Sequence, residues 1–300
     1  MHITIQLTLL FSLNTFALQK VIYGKDNRKD IYEVRNSLYL DIAKSTAGLV
    51  SSSELIEKGD HFEVSRKITL GSSRLNLCSD ERFSNQPLLP ICSGFLIDED
   101  IMITAGHCYQ FASSCDSEVW VFDYRMSNAS DIDLKTISKS NVYSCKKVIK
   151  QVFNGKEDFS IIQLDRKVTG RAPLKYRKSG KISKRSNLVV IGHPSGLPLK
   201  VSSNGRVISN KDKFQFTTSL DTFQGNSGSA VIDSTTGTLE GILVSGKTDY
   251  VLSRPQDETS CRVVNNCNMR GKSCTGTDSN TLKIPGENVT RITTIQQFLP

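Results

Sequence analysis

From Ile91 onward the chain alternates short apolar runs with clusters of Gly, Asn, Asp and Ser, and few folds accept that rhythm. Residues 92–97, a turn at Asp98-Glu99-Asp100, and 101–105 read as a β-hairpin. Further short strands are expected at 119–122, 133–137, 145–152, 159–164, 188–191, 205–208, 213–218, 229–232 and 239–244. Such a series argues for a β-barrel or sandwich and against βαβ units. Residues 289–299 carry apolar side chains at helical spacing and are expected to end the chain as a helix. Residues 38–50 are mixed in period, open between strand and short helix, and 62–70 read as extended. Residues 253–280, rich in Cys, Asn, Gly and Ser, read as a long stapled loop.

Three hundred residues suit one large all-β domain or two smaller ones, and a hydrophobic content of 38% is that of a folded globule. The formal charge of +8 is spread along the chain. Its denser parts, Lys146-Lys147 to Lys150 and Arg171 to Arg185, lack the interleaved aromatics of a single-strand binder, so a solvated basic face and no nucleic-acid partner are expected. Residues 1–17 read as an export signal, with small residues at Thr15 and Ala17 before the cleavage point. That apolar stretch is short and interrupted for a membrane span. The expected location is therefore secreted or periplasmic, with no membrane partner. Eight cysteines suit an oxidising compartment. Without a Cys-x-x-Cys pair, and with His193 remote in sequence, no metal and no cofactor are expected.

The chemistry converges on Asp221-Thr222-Phe223-Gln224-Gly225-Asn226-Ser227-Gly228-Ser229. Glycines around one serine suit a turn whose backbone N–H groups point inward together. Ser227 then reads as a nucleophile, with the N–H groups of Gly225 and Ser227 as an oxyanion hole; the plainer reading is a Gly/Ser hairpin turn. An alcohol nucleophile needs a base, and the base needs a carboxylate to orient it. Of four histidines, His107 ends an apolar strand inside Thr104-Ala105-Gly106-His107-Cys108. Asp158 stands at the mouth of the run Phe159 to Leu164, either as the third member or as a strand-start turn residue.

These three segments stand in the order His, Asp, Ser. Together they resemble the trypsin/chymotrypsin-like serine endopeptidases, most closely the bacterial branch that contains the glutamyl endopeptidases. The resemblance covers residues 91–300, with an echo at Val21-Ile22-Tyr23-Gly24. It implies two six-stranded antiparallel β-barrels with the active site in the cleft between them. It makes His107 the general base, Asp158 its orienting acid and Ser227 the nucleophile of an acyl-enzyme mechanism. A Cys92–Cys108 disulfide is implied as well. The other six cysteines allow 15 pairings. The expected organisation is a signal at 1–17, an extension and start of the first barrel at 18–90, the first barrel at 91–170, and the second barrel with the C-terminal helix at 171–300.

In this resemblance Asp221 takes the floor of the primary specificity pocket, with Thr222 beside it and Gly246 in the wall strand. Cleavage after Lys or Arg follows as the favoured expectation. A glutamyl preference is the alternative, although Leu243 stands where those enzymes carry a histidine. Cutting after Lys20 would free Val21, as in zymogen activation; a mature start at Leu18 is the other reading. Asn226 replaces the aspartate that pairs with the new ammonium, and Phe223 replaces a cysteine that braces the pocket. The expected partners are protein or peptide substrates and protein inhibitors, and the expected state is a monomer. A secreted, non-catalytic binding protein on the same scaffold is the rival class. An α/β-hydrolase is excluded by the chain order and by the missing Gly-x-Ser-x-Gly elbow.

Overall fold

The computed structural model describes residues 21–65, 67–109, 114–130, 134–254, 260–270, 272–275 and 286–299. The export signal, Leu18, Lys20, Asp133 and the spans 255–259 and 276–285 lie outside the described residues.

Strands β1 (Thr46–Ser51), β2 (Cys92–Asp98), β3 (Ile101–Thr104), β4 (Glu118–Phe122), β5 (Val142–Phe153) and β6 (Asp158–Leu164) close into one antiparallel barrel, in the order β5-β6-β3-β2-β1-β4. Strands β7 (Asn187–Gly192), β8 (Lys200–Ser209), β9 (Gln215–Thr218), β10 (Ala230–Asp233), β11 (Leu239–Ser245) and β12 (Glu287–Arg291) form a second, in the order β7-β10-β11-β12-β9-β8. Pairing of β7 with β8 closes it, for example Asn187 opposite Arg206. Closure removes the free strand edges that an open antiparallel sheet would expose.

The barrels are packed together because both carry apolar side chains outward at their junction as well as inward. Phe95 and Ile103 of the first share one core with Ile191, Ile232 and Ile242 of the second. β2 is buried at Cys92 through Ile97, one face inside its barrel and the other covered. This explains why its sequence reads as a near-continuous apolar run rather than an alternation.

The mixed stretch 38–50 holds a helix and a strand in succession. Helix α1 (Ser37–Lys44) is capped by the Asn36 side chain, which accepts from Leu38 N at 3.0 Å. β1 begins two residues after it. The terminal helix is shorter than its spacing predicts. Val289 belongs to β12, α2 covers only Ile292–Ile295, and a 3-10 turn follows at Gln296–Phe298. Ladder hydrogen bonds to β9 and β11 hold 287–291 extended, so tertiary pairing overrides the local period.

Outside the barrels, Leu55–Lys58, His61–Val64 and Thr136–Ser138 make a small sheet. Lys29–Asp30 adds to the edge of β8, and Ile22–Tyr23 runs parallel to Asn266–Cys267. Four disulfides join Cys78 to Cys261, Cys92 to Cys108, Cys115 to Cys145 and Cys267 to Cys274. Two of them anchor the described part of 253–280, where Arg262–Val264 pairs with Tyr250–Leu252.

Candidate active site

β3 ends at Thr104 and delivers His107 in a 3-10 turn, Gly106–Tyr109, while Asp158 is the first residue of β6. The two meet twice. His107 N donates to Asp158 Oδ1 at 3.0 Å, and His107 Nδ1 lies 2.7 Å from Asp158 Oδ2. A carboxylate at Nδ1 selects the tautomer protonated there and leaves Nε2 as the basic nitrogen. Gln151 Nε2 donates to Gly106 O at 3.1 Å, and Thr290 Oγ1 from the second barrel donates to the Asp158 carbonyl at 3.2 Å. The exposed Phe153 ring stands 5.9 Å from the imidazole, centre to centre.

Ser227 lies in a turn stitched to both flanks of His107. Ser93 N donates to Ser227 O at 2.8 Å, and Thr104 Oγ1 donates to Ser93 O at 2.7 Å. On the far side of the base, the Cys108 sulfur lies 3.9 Å from Ser227 O, and its disulfide returns to Cys92. Gly228, at φ +88°, shows how tight this junction is. A Cβ there would stand 2.0 Å from Ser93 O and 2.2 Å from Thr104 Oγ1.

Gly225 also has a left-handed backbone, at φ +90°. Two short bonds, Asn226 N to Phe223 O and Ser229 N to Asn226 O, both 2.9 Å, curl the chain around Ser227. The Gly225 carbonyl is turned away to accept from Ser93 Oγ at 2.8 Å, and Ser93 Oγ in turn accepts from His193 N at 2.9 Å. His193 is fully enclosed, and burial pushes its pKa down to about 4, so it stays neutral. Asn226 accepts from Ser229 Oγ at 3.2 Å. Ser227, the His107–Asp158 pair and the left-handed turn at Gly225 thus occupy one junction, and a serine, a carboxylate-oriented histidine and a glycine turn are the residue types acyl transfer needs.

Asp221 is 1% exposed, and its carboxylate accepts from Tyr23 N at 2.7 Å and Asn27 N at 3.2 Å. Burial outweighs these donors and raises its pKa to about 7. Thr222 Oγ1 donates to Glu287 Oε2 at 2.6 Å, and Tyr23 OH donates to Glu287 Oε1 at 3.0 Å. Gly246 borders the same carboxylate, since a Cβ on it would lie 1.8 Å from Glu287 Oε2. So Thr222 and Gly246 meet at Glu287, which the motifs do not reveal, whereas the Asp221 carboxylate is taken up by the N–H groups of Tyr23 and Asn27. Where a family disulfide is lacking, Phe223 is fully buried, with its ring 5.3 Å from that of Tyr250 and under the Arg28 guanidinium at 4.0 Å.

Short-range pattern does not point to Ser93, Tyr23 and Glu287, because Gly225, Asp221 and Thr222, which they meet, lie 132, 198 and 65 residues away. Tyr23 did carry a signal, within the Val21-Ile22-Tyr23-Gly24 echo. Cys92, His107 and Cys108 bring ligand-type atoms within 4.8 Å of one another, but both sulfurs are spent in their disulfide.

A family model described as a trypsin-like peptidase domain matches residues 92–242, just over half the chain. No curated protein matches. The VesB protease of Vibrio cholerae superposes with a TM-score of 0.51 at 13% identity, covering 93% of this chain and 66% of that one. A Glu endopeptidase solved in complex with MPD gives 0.49 at 18% identity, covering 93% and 97%. At such identities the likeness to VesB concerns the fold alone.

Proposed function

The chain belongs to the trypsin-like peptidase family, and from that premise we propose that it is a secreted serine endopeptidase working through His107, Asp158 and Ser227. The observation that carries this reading is the double hydrogen bond between His107 and Asp158, made beside the turn that holds Ser227. Ser227 Oγ attacks the scissile carbonyl while His107 Nε2 takes its proton. Asp158 holds the imidazole in register and stabilises the imidazolium. The N–H groups of Gly225 and Ser227 receive the oxyanion. His107 then protonates the leaving amine, and water, activated by the same histidine, hydrolyses the acyl-enzyme.

Cleavage after Lys or Arg is the proposed preference. It is supported by the Glu287 carboxylate, which takes the Thr222 hydroxyl and borders Gly246, and by Asp221, the neighbour of Thr222 in the chain, whose carboxylate accepts from Tyr23 N. An acidic substrate side chain would meet like charges there, which disfavours the glutamyl alternative. Processing after Lys20 is proposed as well. The segment it would free is buried, with Val21 and Ile22 at 0% exposure and Val21 O accepting from Thr222 N at 3.3 Å.

An organophosphonate directed at activated serines tests the enzyme reading. We expect labelling at Ser227, lost in Ser227→Ala. Correctly processed protein that takes no label would reject the reading in favour of a non-catalytic binder. A peptide-library profile then tests the preference for Lys and Arg.

A further inference from the structure

Of the nine large apolar side chains left exposed among the described residues, three, Val148, Ile149 and Phe153, stand on β5. A fourth, Phe298, lies against the same strand, with its ring centre 5.3 Å from the Lys150 ammonium. Residues 146–150 are exposed without a break, which a strand flush with its barrel does not show. The cause is in the ladder. Pairing of β5 with β6 slips between Cys145 and Lys147 and again between Val148 and Lys150, so Lys146 and Ile149 are extra residues. Bulges of this kind re-aim side chains, and here they turn neighbours on both faces toward solvent. The ribbon is still held. Val148 is registered opposite Ile162 and Lys150 opposite Ile161, and the Cys115–Cys145 disulfide pins its start.

The lysines set among these side chains have no counter-charge. Lys44, Lys139 and Lys167 each sit against a carboxylate, but among the described residues none lies within ion-pair distance of Lys146, Lys147 or Lys150. Asp116, on the short helix Ser114–Ser117 packed against β5, and Glu157, in the turn that follows β5, are exposed and make no ion pair with them. Adjacent like charges repel, and the aliphatic surface between them is unfavourable in water. A single ligand carrying both carboxylates and apolar side chains relieves both. The patch is also continuous with the triad. Phe153 stands 5.9 Å from the His107 imidazole, and at the usual rise per strand residue Lys146 lies roughly 23 Å further along.

We propose that residues 146–150 of β5, with Phe298, dock an extended acidic segment of a protein substrate, in which Glu or Asp alternates with aliphatic residues, away from the bond that is cut. An extended chain fits because the groups follow one strand, a line and not the plane that a lipid surface would meet. A phosphate backbone would satisfy the lysines and leave Val148 and Ile149 bare. Docking is a property of this surface alone; its use in choosing substrates rests on the endopeptidase reading.

Fluorescence anisotropy of a labelled peptide alternating glutamate with leucine, titrated with full-length Ser227→Ala protein, tests the docking without cleavage. We expect saturable binding that weakens as salt rises. Reversing all three charges together (Lys146→Glu, Lys147→Glu and Lys150→Glu) should weaken it by about tenfold or more. Ile149→Ser should weaken it too, with the salt dependence kept. In active protein the triple reversal should lower kcat/KM for casein, an acidic unfolded protein, and leave that for a lysine anilide unchanged. A peptide with lysine in place of glutamate that binds equally well, or a triple variant that binds as the parent does, overturns the proposal. Binding to phosphatidylglycerol vesicles without binding of the peptide overturns it in favour of a lipid surface. Failure of docking in a chain whose native form takes the phosphonate at Ser227 leaves the enzyme reading standing. Docking in a chain that takes none keeps the surface and removes its role in substrate choice.

Discussion

Ser93 Oγ donates a 2.8 Å hydrogen bond to the carbonyl oxygen of Gly225, so a serine of the first barrel orients the peptide unit ahead of Ser227 in the second. The N–H of that same peptide unit, on Asn226, donates to Phe223 O at 2.9 Å, so both of its polar groups are held, and the proposed oxyanion donors Gly225 and Ser227 flank a fixed unit. Preorganisation of this kind is where oxyanion stabilisation gets its strength. The same serine accepts from His193 N, so one hydroxyl ties three segments together.

Ser93→Ala should therefore lower kcat more than it raises KM. Removing the hydroxyl leaves buried polar groups without it, at a cost of about 1–3 kcal/mol. Ser93→Thr, which keeps the hydroxyl, should recover part of the loss. Steady-state kinetics on a single anilide substrate measures both.

Single substitutions in the proposed triad should not add. Ser227→Ala or His107→Ala should each lower kcat by about 10⁴- to 10⁶-fold, and the double variant by little more. Asp158→Asn should cost on the order of 10⁴-fold by favouring the wrong histidine tautomer. Rates at equal protein concentration for the four variants and the native protein distinguish this from independent contributions.

Asp221 makes a prediction with a definite sign. Burial raises its pKa to about 7, so the folded state holds its proton longer than the unfolded chain, whose aspartates titrate near ~4. The stability this contributes is fully present below about pH 4 and is lost as pH rises through about 7. His193 acts oppositely. Its pKa is depressed to about 4, so its contribution is present above the ordinary histidine range and lost as pH falls through about 4. Urea midpoints from pH 4 to 8 should thus fall with pH more steeply for native protein than for Asp221→Asn. In activity, preference for arginine over a neutral side chain should grow through about pH 7 as Asp221 ionises. A ratio unaltered by pH, or by Asp221→Asn, would remove Asp221 from the specificity assignment.

The disulfide between Cys78 and Cys261 closes the longest loop of the four, 183 residues in sequence. Replacing both cysteines by serine should cost about 2–5 kcal/mol, read as a lowered thermal midpoint.

Much of the barrel architecture is legible locally. β2 and β3 announce themselves by an apolar hairpin broken at Asp98-Glu99-Asp100, and β6 and β7 by compact apolar runs. Where a helix abuts a strand with no turn signal, as at Ser37–Lys44 and Thr46–Ser51, the two periods blur into one. Val289 misleads for the opposite reason, since its spacing fits a helix while its ladder partners Phe216 and Leu243 hold it in β12.

The residue types and their order along the chain were determined by sequence alone: a histidine after an apolar strand, an aspartate opening another, a serine between glycines. Short-range pattern carries that information, because strand period and turn chemistry involve near neighbours. Only the tertiary structure decided what surrounds them. It brought Ser93 to Gly225, enclosed Asp221 beneath Tyr23 and set Glu287 against Gly246. It also chose one cysteine pairing among the fifteen open to the remaining six. All but the Cys267–Cys274 pair depend on closing barrels and loops across tens to hundreds of residues, and no local pattern encodes which distant backbone will arrive.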